Sequence, residues 1–314
     1  MSMTRLKQFW TLGIFLSAVG CATVGSHSAK NEDEPKTLLT WAVGREEKKD
    51  KDDEKNDDEK HGNGKDGNGK KDKEREPNII ATDRPDFVEA SHAVGKGRVQ
   101  LEGGYTYVRD SSGGARTIAH SYPEMLLRIG MFADWFELRI GQNFLNERSP
   151  GSSVHGASDL YLGARFDLTE QKGAFPEASL VLQTTVPSGR RSFSAGQMLP
   201  GANLLYGWEI IEDKLTLGAS TQFNRRVDDD GHYYAEFAQA FTVGYRWTKR
   251  LGQYTELFTI VPCGANSGAL TQHYLDGGFT YLITDNFQLD IRAGVGLNRA
   301  ADDFFAGTGF GIRY

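Results

Sequence analysis

Strict alternation at the carboxyl end constrains this chain most. From Asn286 to Leu297 the residues Phe287, Leu289, Ile291, Ala293, Val295 and Leu297 share one face, and Gln288, Asp290, Arg292, Gly294 and Gly296 share the other. A period of two marks a β-strand. After Asn298–Asp302 the pattern resumes, with Phe304, Ala306, Thr308, Phe310, Ile312 and Tyr314 opposing Phe305, Gly307, Gly309, Gly311 and Arg313. A soluble sheet buries its apolar face against a second layer. Here the other face carries Asp290, Arg292 and Arg313 among glycines, which suits a polar lumen with the apolar face turned to lipid. Hydrocarbon offers no partner to a backbone N–H or C=O, so strands cross a membrane only as a closed barrel. The rest of the chain is expected to supply the remaining staves, making an all-β, transmembrane antiparallel barrel.

Bulk composition hides this. The chain is 39% hydrophobic with a net charge of −6, and after its amino terminus no run reaches the ~20 apolar residues of a spanning helix. Arg5 and Lys7 followed by the apolar run Phe9–Val19 read as a secretory signal peptide, assigned to 1–29. Its processing has two readings. Ala18-Val19-Gly20-Cys21 resembles a lipoprotein box with a poor first residue, making Cys21 a lipidation candidate, while Val24-Gly25-Ser26 and Ala29 offer ordinary cleavage. With Cys21 acylated or removed, Cys263 alone remains and no intramolecular disulfide forms. His92, His120, His155, His232 and His273 are scattered without metal-ligand spacing to a cysteine or second histidine, so neither metal nor cofactor is expected.

Residues 30–78 are dominated by Lys, Asp and Glu, with Gly and Asn joining from Gly62 to Gly69. So few apolar groups cannot offset the entropy of ordering, and the segment is expected to be a disordered tether. A calcium-loop reading of Asp66–Asp72 fails because Lys70 and Lys71 stand where that loop wants an acid or amide and a glycine. Thr37–Val43 is a small apolar island in it.

From 79 to 314 glycine-rich alternation predicts about twelve strands: Arg98–Arg109, Tyr122–Met131, Trp135–Leu145, Ser158–Leu168, Ala178–Val186, Ala202–Ile211, Lys214–Asn224, Tyr234–Trp247, Tyr254–Ile260, Gln272–Ile283, Asn286–Leu297 and Asp303–Tyr314. Tyr254–Ile260 alternates poorly and is the weakest. Connections are alternately short (Phe132–Asp134, Thr169–Glu177, Glu212–Asp213, Thr248–Gln253, Thr284–Asp285) and mostly longer and polar (Asp110–Ser121, Asn146–Ala157, Pro187–Gly201, Arg225–Tyr233, Val261–Thr271). Bacterial barrels have short periplasmic turns, so both barrel ends and the tether are expected in the periplasm, with the barrel in the outer membrane. Phe132, Trp135, Trp208, Trp247, Tyr281 and Tyr314 cluster beside the short turns, as an interfacial girdle does. The expected partners are outer-membrane lipid, barrel-assembly machinery reading the last strand at Tyr314, and a small solute; no nucleic acid is expected.

Thr82–Glu89 (TDRPDFVE), Lys96–Tyr107 (KGRVQLEGGYTY) and Thr184–Gly189 (TTVPSG) resemble the family of MetA-pathway of phenol degradation proteins, often called transporters. The likeness runs from about Ile79 to Tyr314. It implies an outer-membrane channel-like barrel linked to uptake of aromatic or hydrophobic compounds, and it brings no catalytic residue.

The inward face gathers Glu102, Glu124, Glu137, Asp159, Asp167, Glu209, Glu236, Asp276 and Asp290 with Arg128, Arg139, Arg165, Arg246, Arg292 and Arg313. One reading is a charged constriction that filters solutes. The other is that these groups pair across the lumen and fill it. About twelve staves lie between the ~8 of a side-chain-filled barrel and the ~16 of an open porin, so both stand. An enzyme at the lip is the competing class, but His155 with Ser152 and Ser153, and His232 with Asp228–Asp230, form no nucleophile–base constellation. A structural barrel with a closed lumen is the third.

Overall fold

The computed structural model describes residues 36–40, 42, 79–111, 115–228, 230–265 and 269–314. The expected signal peptide, Cys21 and most of the tether lie outside these. In the described part of the apolar island, Thr37 and Thr40 exchange hydrogen bonds at the start of a helical turn.

The chain forms β1 (Val99–Asp110), β2 (Thr117–Gly130), β3 (Phe136–Ser149), β4 (Ser152–Ala157), β5 (Leu160–Thr169), β6 (Glu177–Val186), β7 (Leu199–Ile211), β8 (Leu215–Val227), β9 (Tyr233–Arg246), β10 (Leu251–Cys263), β11 (Gln272–Thr284), β12 (Phe287–Gly296) and β13 (Phe304–Arg313). Consecutive strands pair antiparallel except that β4 pairs only with β3, and β1 pairs with β13 from Gln100↔Arg313 to Arg109↔Phe304, closing the cylinder. Strand β3 pairs along Phe144–Ser149 with β4 and along Phe136–Gly141 with β5. Strands β4 and β5 are therefore one stave broken at Ser158 and Asp159, and the barrel has twelve staves.

Alternation places apolar side chains outside and charge inside. Ile140, Phe144, Leu182, Phe223, Phe241, Val243, Leu257, Leu275, Phe279, Leu289, Ile291 and Val295 are exposed, whereas Glu102, Arg128, Glu137, Arg139 and Arg165 are buried. The sense is opposite to that of a soluble protein, as lipid requires. Phe132, Trp247, Tyr281 and Tyr314 are exposed near the short turns.

Three expectations need correction. Strand β2 begins at Thr117 rather than Tyr122, with a register break between Tyr122 and Met125. Asn146–Ala157, expected as a loop, is largely a hairpin in which β3 continues to Ser149 and β4 returns from Ser152. Its Ser152, Ser153 and His155 are exposed, so it presents no apolar face for alternation to reveal. The weakest expected strand is the thirteen-residue β10. It alternates poorly because its inward residues Tyr254, Phe258 and Ile260 are also apolar or aromatic, and what they pack on comes from elsewhere in the chain.

That partner is the segment 79–98, which precedes β1. It enters at the short-turn rim, where Ile80 N donates to Asp285 O (2.7 Å), and returns there, where Gly97 N donates to Gly130 O (2.9 Å). Between these points residues 80–91 are all buried inside the barrel. The segment is a plug made of the protein's own chain.

Candidate functional site in the lumen

Every charged residue of Asp83-Arg84-Pro85-Asp86-Phe87-Val88-Glu89 points into the lumen and is at most 2% exposed. Burying such charges costs several kcal/mol each unless they are paired and hydrogen-bonded. Most of the inward rows supply those partners.

Asp83 lies at the centre. Its carboxylate meets Arg139 (2.5 Å), Arg165 (3.1 Å) and Arg128 (3.2 Å), and its N–H donates to both oxygens of Glu102 (3.0 and 2.9 Å). Burial alone would push this carboxyl up; the guanidiniums of Arg128, Arg139 and Arg165 outweigh it and hold the group below the usual carboxylate range. Glu89 takes Arg165 (2.7 Å) and Arg139 (3.0 Å). Glu137 takes Arg128 Nε (2.8 Å) and Arg139 Nη1 (3.0 Å) and accepts the Val94 N–H (2.9 Å). Arg128 and Arg165 also donate to the carbonyl of His92 (3.1 and 2.9 Å). Strands β1, β2, β3 and β5 thus grip one arm of the plug through three arginines and five carboxylates, counting Asp83, Glu89, Glu102, Glu137 and, through both of its oxygens on Ala93 N, Asp167.

Arg84 turns toward the closing seam of the barrel, to β2, β12 and β13. It pairs with Glu124 (2.5 Å) and Asp290 (3.4 Å) and donates to Thr308 O (3.3 Å). Gly104 and Gly309 are cross-strand partners in the β1–β13 ladder, and a Cβ on either would overlap the guanidinium. These two glycines make the slot in which Arg84 lies.

The plug's elbow is held by backbone and rings. Phe87 N and Val88 N donate to the two oxygens of Glu256 (2.5 and 2.8 Å), and Arg292 Nη1 donates to Pro85 O (2.9 Å). Phe87 stacks on Phe258 (centroids 4.6 Å, 3°), and Phe258 on Tyr274 (4.7 Å). At the return, Ser91 donates to Glu177 (2.6 Å) and the His92 ring lies 3.2 Å from the same carboxylate. Burial lowers the His92 pKa, the Glu177 charge raises it, and the net direction is upward.

Of the residues expected along a solute path, Glu102, Glu124, Arg128, Glu137, Arg139, Arg165, Asp167, Asp290 and Arg292 bind the plug directly, and Asp276 lies beside its elbow, accepting from Tyr254 Oη (3.2 Å). Arg313 bonds to Asn286 Oδ1 (2.7 Å) and to Ile79 O (3.4 Å) at the plug's entry. Four stand apart. Asp159 anchors the long β6–β7 connection through Gly189 N and Ala195 N (3.0 and 2.9 Å). Glu236 pairs with Arg226 (2.9 Å) near the long loops. Glu209 accepts from Asp213 N (2.8 Å), and Arg246 pairs with Asp213 (2.7 Å), in a recess at the short-turn rim beside Ile79 and Ile80.

The alternation argument missed Asp83, Arg84, Asp86, Glu89, Glu177 and Glu256. Four charged residues in seven, from Asp83 to Glu89 and ahead of the first strand, are the sequence signal that the inward rows have partners outside the wall. Asp228, Asp230 and His232 approach within 4.8 Å in an exposed loop because the N–H groups of Asp230 and His232 both donate to Asp228 Oδ1. His155 and Ser153 lie in the β3–β4 hairpin, where the His155 carbonyl accepts from Arg190.

A family model described as "Putative MetA-pathway of phenol degradation" matches residues 82–314. Among solved structures, the chain is similar to the COG4313 outer membrane channel from Pseudomonas putida F1, with 11% identity and a TM-score of 0.58 over 71% of this chain and 98% of that one. It also matches the translocator domain of the autotransporter NalP from Neisseria meningitidis at 10% identity, over 69% of this chain and 88% of that one, with a TM-score of 0.47. No curated protein sequence matches it. At these identities the first likeness shows a shared fold, that of an outer-membrane barrel.

Proposed function

The chain belongs to the MetA-pathway of phenol degradation family, and from that premise we propose that it is a plugged outer-membrane channel passing small, hydrophobic or aromatic solutes. The observation that carries this reading is what the inward charges are used for. They grip a separate segment, 79–98, rather than only one another, so the lumen is closed by a part that can leave while the wall stays whole. The COG4313 relative is described as an outer membrane channel, which supports the same reading. We read the protein as non-enzymatic, with its short turns, amino-terminal tether and plug entry on the periplasmic side. The last strand, ending at Tyr314, is the segment we assign to recognition by barrel-assembly machinery.

The fully buried plug also suits a structural barrel with a permanently closed lumen, and one experiment separates the two. The refolded wild type and the double variant Asp83→Asn/Glu89→Gln are compared in planar bilayers. Removing both carboxylates leaves Arg139 and Arg165 short of counter-charges at a cost of about 3–5 kcal/mol. The channel reading expects brief openings of the wild type and long-lived ones of the variant. Silence from both, with the barrel folded, establishes the closed structural reading.

A further inference from the structure

The plug is bonded unevenly around the barrel. Strand β1 holds it through Glu102 on the Asp83 N–H, β2, β3 and β5 by ion pairs, β10, β12 and β13 by Glu256, Arg292, Asp290 and the Thr308 carbonyl, and β6 only at the rim, by Glu177 on Ser91 and His92. The wall between them is chemically different. Two transverse rows cross it in register: Ser179, Leu205, Ser220 and Ala240, then Val181, Asn203, Gln222 and Ala238. None is charged, and all are at most 2% exposed.

Several of their polar atoms lack a hydrogen-bond partner: Ser179 Oγ, Ser220 Oγ, and both Oδ1 and Nδ2 of Asn203, with Thr185 Oγ1 further along β6. A buried polar group left unsatisfied forfeits the hydrogen bonds that water would give it. Pressing the plug against this wall therefore opposes its seating, whereas pressing it against the arginine wall drives it. Opening along these two rows hydrates Asn203, Ser179 and Ser220 and leaves the His92–Glu177 pair at the rim in place. On the other side every separation exposes Asp83, Glu89 or Glu137 opposite a guanidinium.

We propose that the plug parts from these two rows of the β6–β8 wall while remaining held on β1–β5 and, at the rim, on Glu177, and that this seam, rather than the arginine rows, is the path of the solute. These rows mix hydroxyl and amide groups with Val181 and Leu205 and carry no charge. It suits an uncharged solute with a hydrogen-bonding group on an apolar body, and disfavours an anion or cation. This rests on the channel reading for its transport part; the parting of the seam does not.

Thiol reactivity tests it in the refolded full chain with Cys263→Ser as background. Asn203→Cys and Ser220→Cys are compared with Leu126→Cys, an inward, buried position on β2. A small methanethiosulfonate reagent should modify the first two at least tenfold faster than the third. The same modification should cut liposome entry of arbutin, an uncharged phenolic glucoside that bilayers exclude, several-fold. Unmodified protein should admit arbutin several-fold faster than 4-hydroxybenzenesulfonate. Faster reaction at Leu126→Cys, or equal protection of all three while arbutin enters, overturns the seam. Faster sulfonate entry overturns the solute class. Reactive Asn203→Cys and Ser220→Cys in a barrel that admits neither solute keeps the seam and overturns the channel reading instead.

Discussion

Arg84 shows how much a single buried side chain can hold in a plugged lumen. Its guanidinium satisfies Glu124 and Asp290 at once, so Arg84→Ala leaves two buried carboxylates without their cation. A cost of about 3–5 kcal/mol is expected, seen as a lowered melting temperature in detergent and more open time in bilayers. Lysine should not rescue it, because one ammonium cannot reproduce a planar fork reaching two acids and a carbonyl. Gly309→Val should give the same phenotype with Arg84 intact, since its side chain would take the guanidinium's space. His92 supplies a pH test. Its pKa is raised in the folded protein, so its pairing with Glu177 stabilises fully below the unfolded value of about 6.5 and is lost as the pH rises through the folded value. The melting temperature of wild type should exceed that of His92→Gln by more at pH 5.5 than at pH 8.5; an unchanged gap would remove His92 from plug retention.

Among elements, the strands were legible because each must satisfy lipid on one side and charge on the other, a demand that writes itself into every second residue. Phe287 to Gly296 shows it plainly, Gln288, Asp290 and Arg292 being buried and Leu289, Ile291 and Val295 exposed. Where that demand lapses, the reading fails. The β3–β4 hairpin presents no apolar face, and β10 turns aromatic residues inward onto the plug's Phe87, so neither carries the alternation. The plug has no period at all, because each of its side chains answers a different local partner: Arg84 a glycine slot, Phe87 a ring, Asp83 three guanidiniums. Family resemblance marks TDRPDFVE as a motif, but only the fold shows which partners its Asp83, Arg84 and Glu89 meet. The inward rows were found in sequence; that they are the plug's socket was not.

For the whole molecule, the proposed orientation rests on connection length, and Cys263 tests it without new chemistry. This exposed thiol closes β10 on the long-loop side. An impermeant maleimide should label it on intact cells. In a Cys263→Ser background it should label Ser152→Cys as well, but not Glu212→Cys in the short β7–β8 turn; labelling of Glu212→Cys alone would reverse the barrel in the membrane. The position of Arg84 has one more consequence. Gly104 belongs to the first strand and Gly309 to the last, separated by the rest of the barrel in sequence and joined only where the cylinder is sutured. The guanidinium lies across that suture like the pin of a clasp. Its bed does not exist in any partly built sheet, so the plug gains the full set of Arg84's contacts only when the two ends of the wall meet.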